Sequence, residues 1–431
     1  MKKLIFIFYL LIFIFPAAFA ATEIRDTEIE SVLYEMVAPI GRAAGIPDGR
    51  LRIHLIGDNQ FNAFVMGGED IYIYTGLIQK IKNPNAVQAV VAHELGHMTG
   101  GHMVQMSDRM AAEMKRMLVM QALGAGLIAL NPQAGVGLLA GAGGMAQQSL
   151  LAFSRDEERQ ADAAGLDLLA RAGVPTAGFL EVMRLMQDMQ SEDKINPNNT
   201  NHPLTAERLQ NIKEKLKSMK QDKTAAPDEK SYALVRAKLD GYLGTRDAVA
   251  ATYPAADKSD AAIYARAIFN MTRGNLALAK TGAQTLIRRG PGNPFFYELM
   301  GDLEYKYGHY DDSIAAYGAA LKLRPNAPQI QTAQALVLTE RRRPGDADSA
   351  AGLAKLAIIS DPGPLAYFVL SRAEKLRGNE GESDWAMAEY YNLIKKPGET
   401  KKYAKSAMGK LQKNSPEYLK ANDLLKIIKD K

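Results

Sequence analysis

The 431-residue chain is 47% apolar and 23% charged, and 53 basic against 48 acidic side chains leave a net charge of +5. That excess is too small and too evenly spread to mark a nucleic-acid-binding protein, while the length calls for two domains with ample apolar core. The absence of cysteine excludes disulfides, thiolate metal ligands and a lipid-modified N-terminal cysteine.

Met1-Lys2-Lys3, an unbroken apolar run from Leu4 to Phe15 and the small-x-small end Ala18-Phe19-Ala20 read as a cleaved secretory signal over residues 1–20. The alternative is an uncleaved membrane anchor over residues 4–21, since about 18 apolar residues are the minimum that spans a bilayer. Pro16 and the A-x-A ending favour cleavage.

From Asp26 to Ala44, Ile29, Val32, Leu33, Met36, Val37 and Ile40 recur at helical spacing, and Gly45 and Pro47 stop the pattern. The β-branched and aromatic runs Leu51–Ile56 and Ile71–Tyr74 predict a small sheet, with Asn62-Ala63-Phe64-Val65 between them. His54 alternates with apolar neighbours and reads as a satisfied polar residue. An edge strand of this sheet beside the next helix is a natural place for a peptide to add.

Pro84 opens a helix expected from Asn85 to about Gly100, carrying Val90-Val91-Ala92-His93-Glu94-Leu95-Gly96-His97-Met98. One helical turn separates His93 from His97, so both imidazoles can meet one cation, and Glu94 beside them can take a proton from a metal-activated water. An amphipathic helix with two polar histidines is the bland alternative. It would leave Glu94 as an unpaired buried charge. His102, beyond Gly100-Gly101, falls out of phase with that face and is placed outside the metal site. Residues 118–152 are Ala, Gly, Leu and Met with almost no charge; they read as a core hairpin, a lid or a membrane-touching segment.

Two histidines need a third protein ligand, and Ser154–Asp162 supplies candidates on a charged helix. Glu158 and Asp162 are four apart and share a face, which suggests Glu158 on the metal and Asp162 on the free ring nitrogen of a ligand histidine. Further on, His202 follows the loop Asn196-Pro197-Asn198-Asn199-Thr200-Asn201. From there it can reach the open metal position as a fourth ligand, latching the site, or stabilise an oxyanion, as can Arg208. A helix-entry loop capped by Thr205, with His202 exposed, is the alternative.

His93-Glu94-Leu95-Gly96-His97, followed by Ser154-Arg155 through Glu158 and Ala161-Asp162 to Gly165, resembles the zinc metallopeptidase family of the CAAX prenyl proteases and bacterial heat-shock membrane peptidases. The resemblance implies one Zn2+ per chain on His93, His97 and Glu158, with Glu94 activating water. Asn62-Ala63-Phe64, Thr75-Gly76-Leu77 and His202-Pro203-Leu204-Thr205 through Arg208 extend it over residues 26–216.

Past the lysine-rich stretch Gln210–Lys223 and a linker at 224–230, Gly274 and Gly308, Ala267 and Gly301, Ala279 and Ser313, and Pro291 and Pro325 are each 34 apart. That is the tetratricopeptide period, with small residues where paired helices approach. A longer unit follows around Arg341–Pro344, ending at Pro362, and another spans Leu365–Leu393. Trp385 and Tyr390-Tyr391 are expected between helices, and His309 in an exposed turn.

The expected fold is α+β and mostly helical: a metallopeptidase domain with a small sheet over residues 21–223, then an α-solenoid of tetratricopeptide repeats over 231–431. With its signal peptide, this arrangement resembles the periplasmic β-barrel assembly-enhancing proteases of Gram-negative bacteria. That resemblance implies a periplasmic zinc endopeptidase of outer-membrane protein quality control, cleaving misfolded or stalled proteins and binding the assembly machinery through its repeats. The alternative is a chaperone or assembly scaffold whose zinc site is mainly regulatory. No nucleic-acid partner is expected.

Overall fold

The structure is a computed structural model that describes residues 22–102, 155–191, 202, 204–219 and 228–429. The expected signal at 1–20, the segment 118–152 and most of the linker at 224–230 lie outside the described residues. The chain divides into two compact units, one of Met1–Arg25 with Glu30–Ala233, the other of Asp26–Ile29 with Leu234–Lys431. Among the described residues, no helix is long and apolar enough to cross a membrane.

In the first unit, β1 (Thr22–Ile24), β2 (Arg52–Gly57), β3 (Ala63–Met66) and β4 (Asp70–Tyr74) form one sheet in the order β1-β2-β4-β3. β2 and β4 run parallel, and the outer strands are antiparallel to their neighbours. The stretch between the two expected strands is thus itself a strand. In β3, buried Ala63 and Val65 alternate with the more accessible Phe64 and Met66, a pattern too short to stand out in the sequence. His54 is a satisfied polar residue: its ring nitrogens lie 2.8 Å from Glu23 and 2.8 Å from Asp70, and it stacks on Tyr72.

The unit's helices are α1 (Thr27–Ala43), α2 (Thr75–Lys80), α3 (Pro84–Thr99), α4 (Arg155–Arg171), α5 (Gly178–Ser191) and α6 (Ala206–Ser218). α1 begins within the stretch that belongs to the second unit. The Asn83 side chain starts α3 by accepting from the Asn85 N–H, with Pro84 in the first turn. Ala86, Val87, Ala89, Val91, Ala92 and Leu95 bury α3 on every side, as befits a core helix. It packs against α4, α5 and β3.

The second unit is an array of antiparallel helix pairs, including α9 (Asp260–Thr272) with α10 (Leu276–Arg289), α11 (Pro294–Tyr307) with α12 (Tyr310–Leu323), and α13 (Pro328–Arg341) with α14 (Asp346–Ser360). α15 (Pro364–Leu376) with α16 (Glu380–Leu393), and α17 (Pro397–Lys410) with α18 (Pro416–Lys429), continue it. Ahead of these lie α7 (Glu229–Leu243) and α8 (Arg246–Thr252). Gly274, Gly308 and Gly378 turn the chain at φ of 81°, 77° and 81°, and Arg342 takes the same left-handed turn at 56°. The turn keeps the 34-residue position at Arg342, with arginine in place of glycine, but α14 starts at Asp346 where Tyr310 starts α12, so the unit is lengthened after the turn as expected. Gly301 lets α11 approach α12 so closely that a Cβ would lie 2.6 Å from the Tyr317 ring. Trp385 is buried edge-on to Tyr367.

His309 is an exposed turn residue whose Nδ1 lies 2.9 Å from Glu304, whose other oxygen meets Lys280. Seventy residues on, Asn379 donates to Glu374 at 2.7 Å and Lys355 meets the same carboxylate. The Glu304–His309 pair is therefore the turn lock of the repeat. Deeper in this unit, the buried Lys238 ammonium lies 2.7 Å from Asp26, 3.3 Å from Glu28 and 3.0 Å from Glu298. The Tyr264 hydroxyl donates to Glu28 at 2.8 Å.

Candidate metal centre

The site is built where α3 and α4 touch through their smallest residues. A Cβ on Gly96 would stand 2.5 Å from the Ala161 carbonyl oxygen, and one on Gly165 would stand 3.0 Å from the Ala92 carbonyl. This close approach carries Glu158 and Asp162 of α4 up to the histidines of α3.

His93 Nε2 and His97 Nε2 are 3.1 Å apart, and each lies 3.4 Å from an oxygen of Glu158. Ligand atoms at 2.0–2.2 Å from a tetrahedral ion are separated by about 3.3–3.6 Å, so these three groups match the edges of a tetrahedron. His202 Nδ1 stands 3.3 Å from His93 Nε2 and 2.8 Å from Glu158, near the fourth corner. Its other nitrogen is 3.4 Å from Glu94. Two neutral-capable imidazoles and a carboxylate, all buried, form a donor set that suits a divalent metal.

The Asp162 carboxylate lies 2.9 Å from His93 Nδ1, where it would orient the imidazole for a metal. Arg208 departs from the oxyanion role expected of it. Its buried guanidinium forks onto Asp162 with two bonds of 2.8 Å and reaches Glu158 at 2.6 Å. Arg208 therefore holds the two carboxylates in place. Thr205 caps α6 by accepting from the Arg208 N–H, which fixes where the guanidinium enters.

The surroundings separate the titrating groups. Burial disfavours a charge on His93, but the Asp162 and Glu158 carboxylates outweigh it and lift the imidazole to about 10. Burial drives His97 down to about 3, leaving a neutral ring. Glu158 is also buried, yet His202, His93 and His97 hold it far below the usual carboxylate range. Burial raises Glu94, in the direction that suits a base working near neutral pH.

Sequence reasoning placed His102 outside this site. In the structure it is buried, with Nδ1 3.0 Å from His97 Nδ1 and Nε2 3.4 Å from the Gln160 Oε1. The signal was the pair Gly100-Gly101 itself. Gly101, at φ 70°, turns the chain so that the following residue folds back onto α3.

A buried carboxylate poised beside a three-cornered donor set is the machinery of a metallopeptidase. Residues 23–216 match peptidase family M48, so this stretch of the chain is a domain of that family. It is 25% identical to the Beta-barrel assembly-enhancing protease of Yersinia pestis, over 78% of this chain and 70% of that protein. The protein of the same name from Escherichia coli strain K12 is 25% identical over 79% and 70%. Metalloprotease LoiP of the same organism is 29% identical over 36% of this chain and 58% of its own length.

Proposed function

We propose that this chain is a zinc endopeptidase of the periplasm that cleaves misfolded or stalled proteins during outer-membrane assembly. The observation that carries the catalytic reading is Glu94, buried 3.4 Å from His202 beside the ligand set. A zinc ion on His93, His97 and Glu158 would polarise the scissile carbonyl and acidify its water. Glu94 takes the proton of the attacking water and delivers it to the leaving nitrogen. Asp162 keeps the Nε2 lone pair of His93 turned to the ligand set, and Arg208 fixes Asp162 and Glu158.

β3, outermost in the sheet among the described residues and packed on α3, is where an extended substrate would pair. The names of the relatives support the outer-membrane assignment, and the signal-like residues 1–20 support export. The repeats would bind substrate or the assembly machinery. His202 at the fourth corner is read as a latch that must leave before substrate enters.

The helix-pair array also favours a second reading, a chaperone or assembly scaffold whose zinc site is regulatory. Metal content and casein cleavage of the purified chain separate the two, with wild type, Glu94→Gln and His202→Ala compared. One zinc per chain, cleavage reduced about 10²- to 10⁴-fold in Glu94→Gln and increased in His202→Ala supports the latched protease. Zinc retained without cleavage in any variant, and an unchanged cellular phenotype in Glu94→Gln, would select the scaffold. N-terminal sequencing of the exported protein distinguishes cleavage after Ala20 from a retained anchor at 4–21.

A further inference from the structure

We infer that His102 sets the tautomer of the metal ligand His97, through a hydrogen-bonded chain that ends on Gln160; this rests on the metal-centre reading. A neutral imidazole has one N–H donor and one acceptor nitrogen. For His97 Nε2 to offer its lone pair to a metal, the hydrogen must sit on Nδ1. That Nδ1 lies 3.0 Å from His102 Nδ1, which must then accept. The His102 hydrogen is consequently on Nε2, which lies 3.4 Å from the Gln160 Oε1. An amide oxygen can only accept, so the chain has a single self-consistent direction: His97 donates to His102, and His102 donates to Gln160.

The reverse direction would put a hydrogen on His97 Nε2 and take that nitrogen away from the metal. The local backbone exists to make this contact. A Cβ on Gly100 would lie 2.6 Å from His102 Nε2, so only glycine leaves the ring room to lie over the end of α3. The two ligand histidines are thus backed differently, His93 by the ionised Asp162 and His97 by a neutral relay. His102 is a positioning residue, with no contact to substrate.

Zinc affinity of the full chain, measured by chelator competition, tests this, with thermal unfolding of the metal-free protein alongside. His102→Phe keeps the ring volume and loses the acceptor, whereas in His102→Asn the amide oxygen occupies the place of Nδ1. The expected result is zinc binding weakened about 10- to 100-fold in His102→Phe and restored to within a few-fold in His102→Asn. Equal affinity in wild type and His102→Phe overturns the inference, as does His102→Asn binding as weakly as His102→Phe. Gln160 is exposed, so its variants keep the fold even where changes at His102 do not. Gln160→Glu, an acceptor only, should bind zinc at least as tightly as wild type, and Gln160→Ala several-fold more weakly. The opposite order overturns the relay. A wild-type chain that takes up no zinc would overturn the metal centre itself, and this inference with it.

Discussion

Gly96 and the Ala161 carbonyl are in van der Waals contact across α3 and α4, with no room for a single added carbon at 2.5 Å. This contact sets the distance from which Glu158 reaches His93 and His97. Gly96→Ala should push α4 outward, cost about 1–3 kcal/mol by overpacking and weaken zinc binding at least tenfold. Thermal unfolding and chelator competition measure the two effects. Unchanged zinc affinity would show that the helix spacing does not hold the ligand set.

The lifted His93 gives a proton to follow. With the imidazole at about 10 in the metal-free protein, it is protonated at pH 7, and a metal must displace that proton. Zinc uptake should therefore release a proton, and affinity should fall as the pH drops. Calorimetry in buffers of different ionisation enthalpy reads the release directly. Asp162→Asn removes a carboxylate that holds the proton, so it should release less and bind zinc about 10- to 100-fold more weakly.

In the second unit, burial pushes Glu298 from 4.5 up to about 8, against the pull of Lys238. A carboxyl whose folded value lies above its unfolded one binds its proton more tightly in the native state. Its contribution is most favourable at low pH and is lost as the pH climbs from 4.5 through 8. Glu298→Gln removes this dependence. Its Tm should therefore gain on that of wild type between pH 5 and pH 8.5, and a constant gap across that range would refute the assignment.

A methyl group at Gly301 would collide with the Tyr317 ring at 2.6 Å, and the Tyr317 hydroxyl is fixed by donating to Asp302 at 2.6 Å. Gly301→Ala should cost about 1–3 kcal/mol, seen as an earlier transition in urea. The zinc affinity of the first unit should stay unchanged.

Much of this was legible because the signals were local. His93 to His97 and Glu158 to Asp162 are each one helical turn, and the repeat spacing survives in the small residues at its helix contacts. Partnerships across long separations were harder to read. Arg208 carries the charge an oxyanion would need, and only the fold shows its guanidinium committed to Asp162 and Glu158. His102 stays outside the ligand set as expected, but its contact with His97 went unread because helical phase says nothing past a glycine pair that ends the helix. β1 and β3, three and four residues long, are too short for alternation to register against the composition of a loop. At Arg342 a left-handed turn is made without glycine, and the connection running on to Gly345 lengthens the unit by two residues, which is what made it look irregular in the sequence.

The edge at Ala63–Met66 offers backbone groups along only four residues, and whatever pairs with it must bring a bare, extended stretch of main chain. Native proteins keep such stretches inside their own sheets and helices, whereas a polypeptide delayed on its way to folding has them to spare. An enzyme that engages its targets through this edge would discriminate by time spent unfolded more than by side-chain identity, and a chain that folds promptly would escape it without carrying any protective sequence.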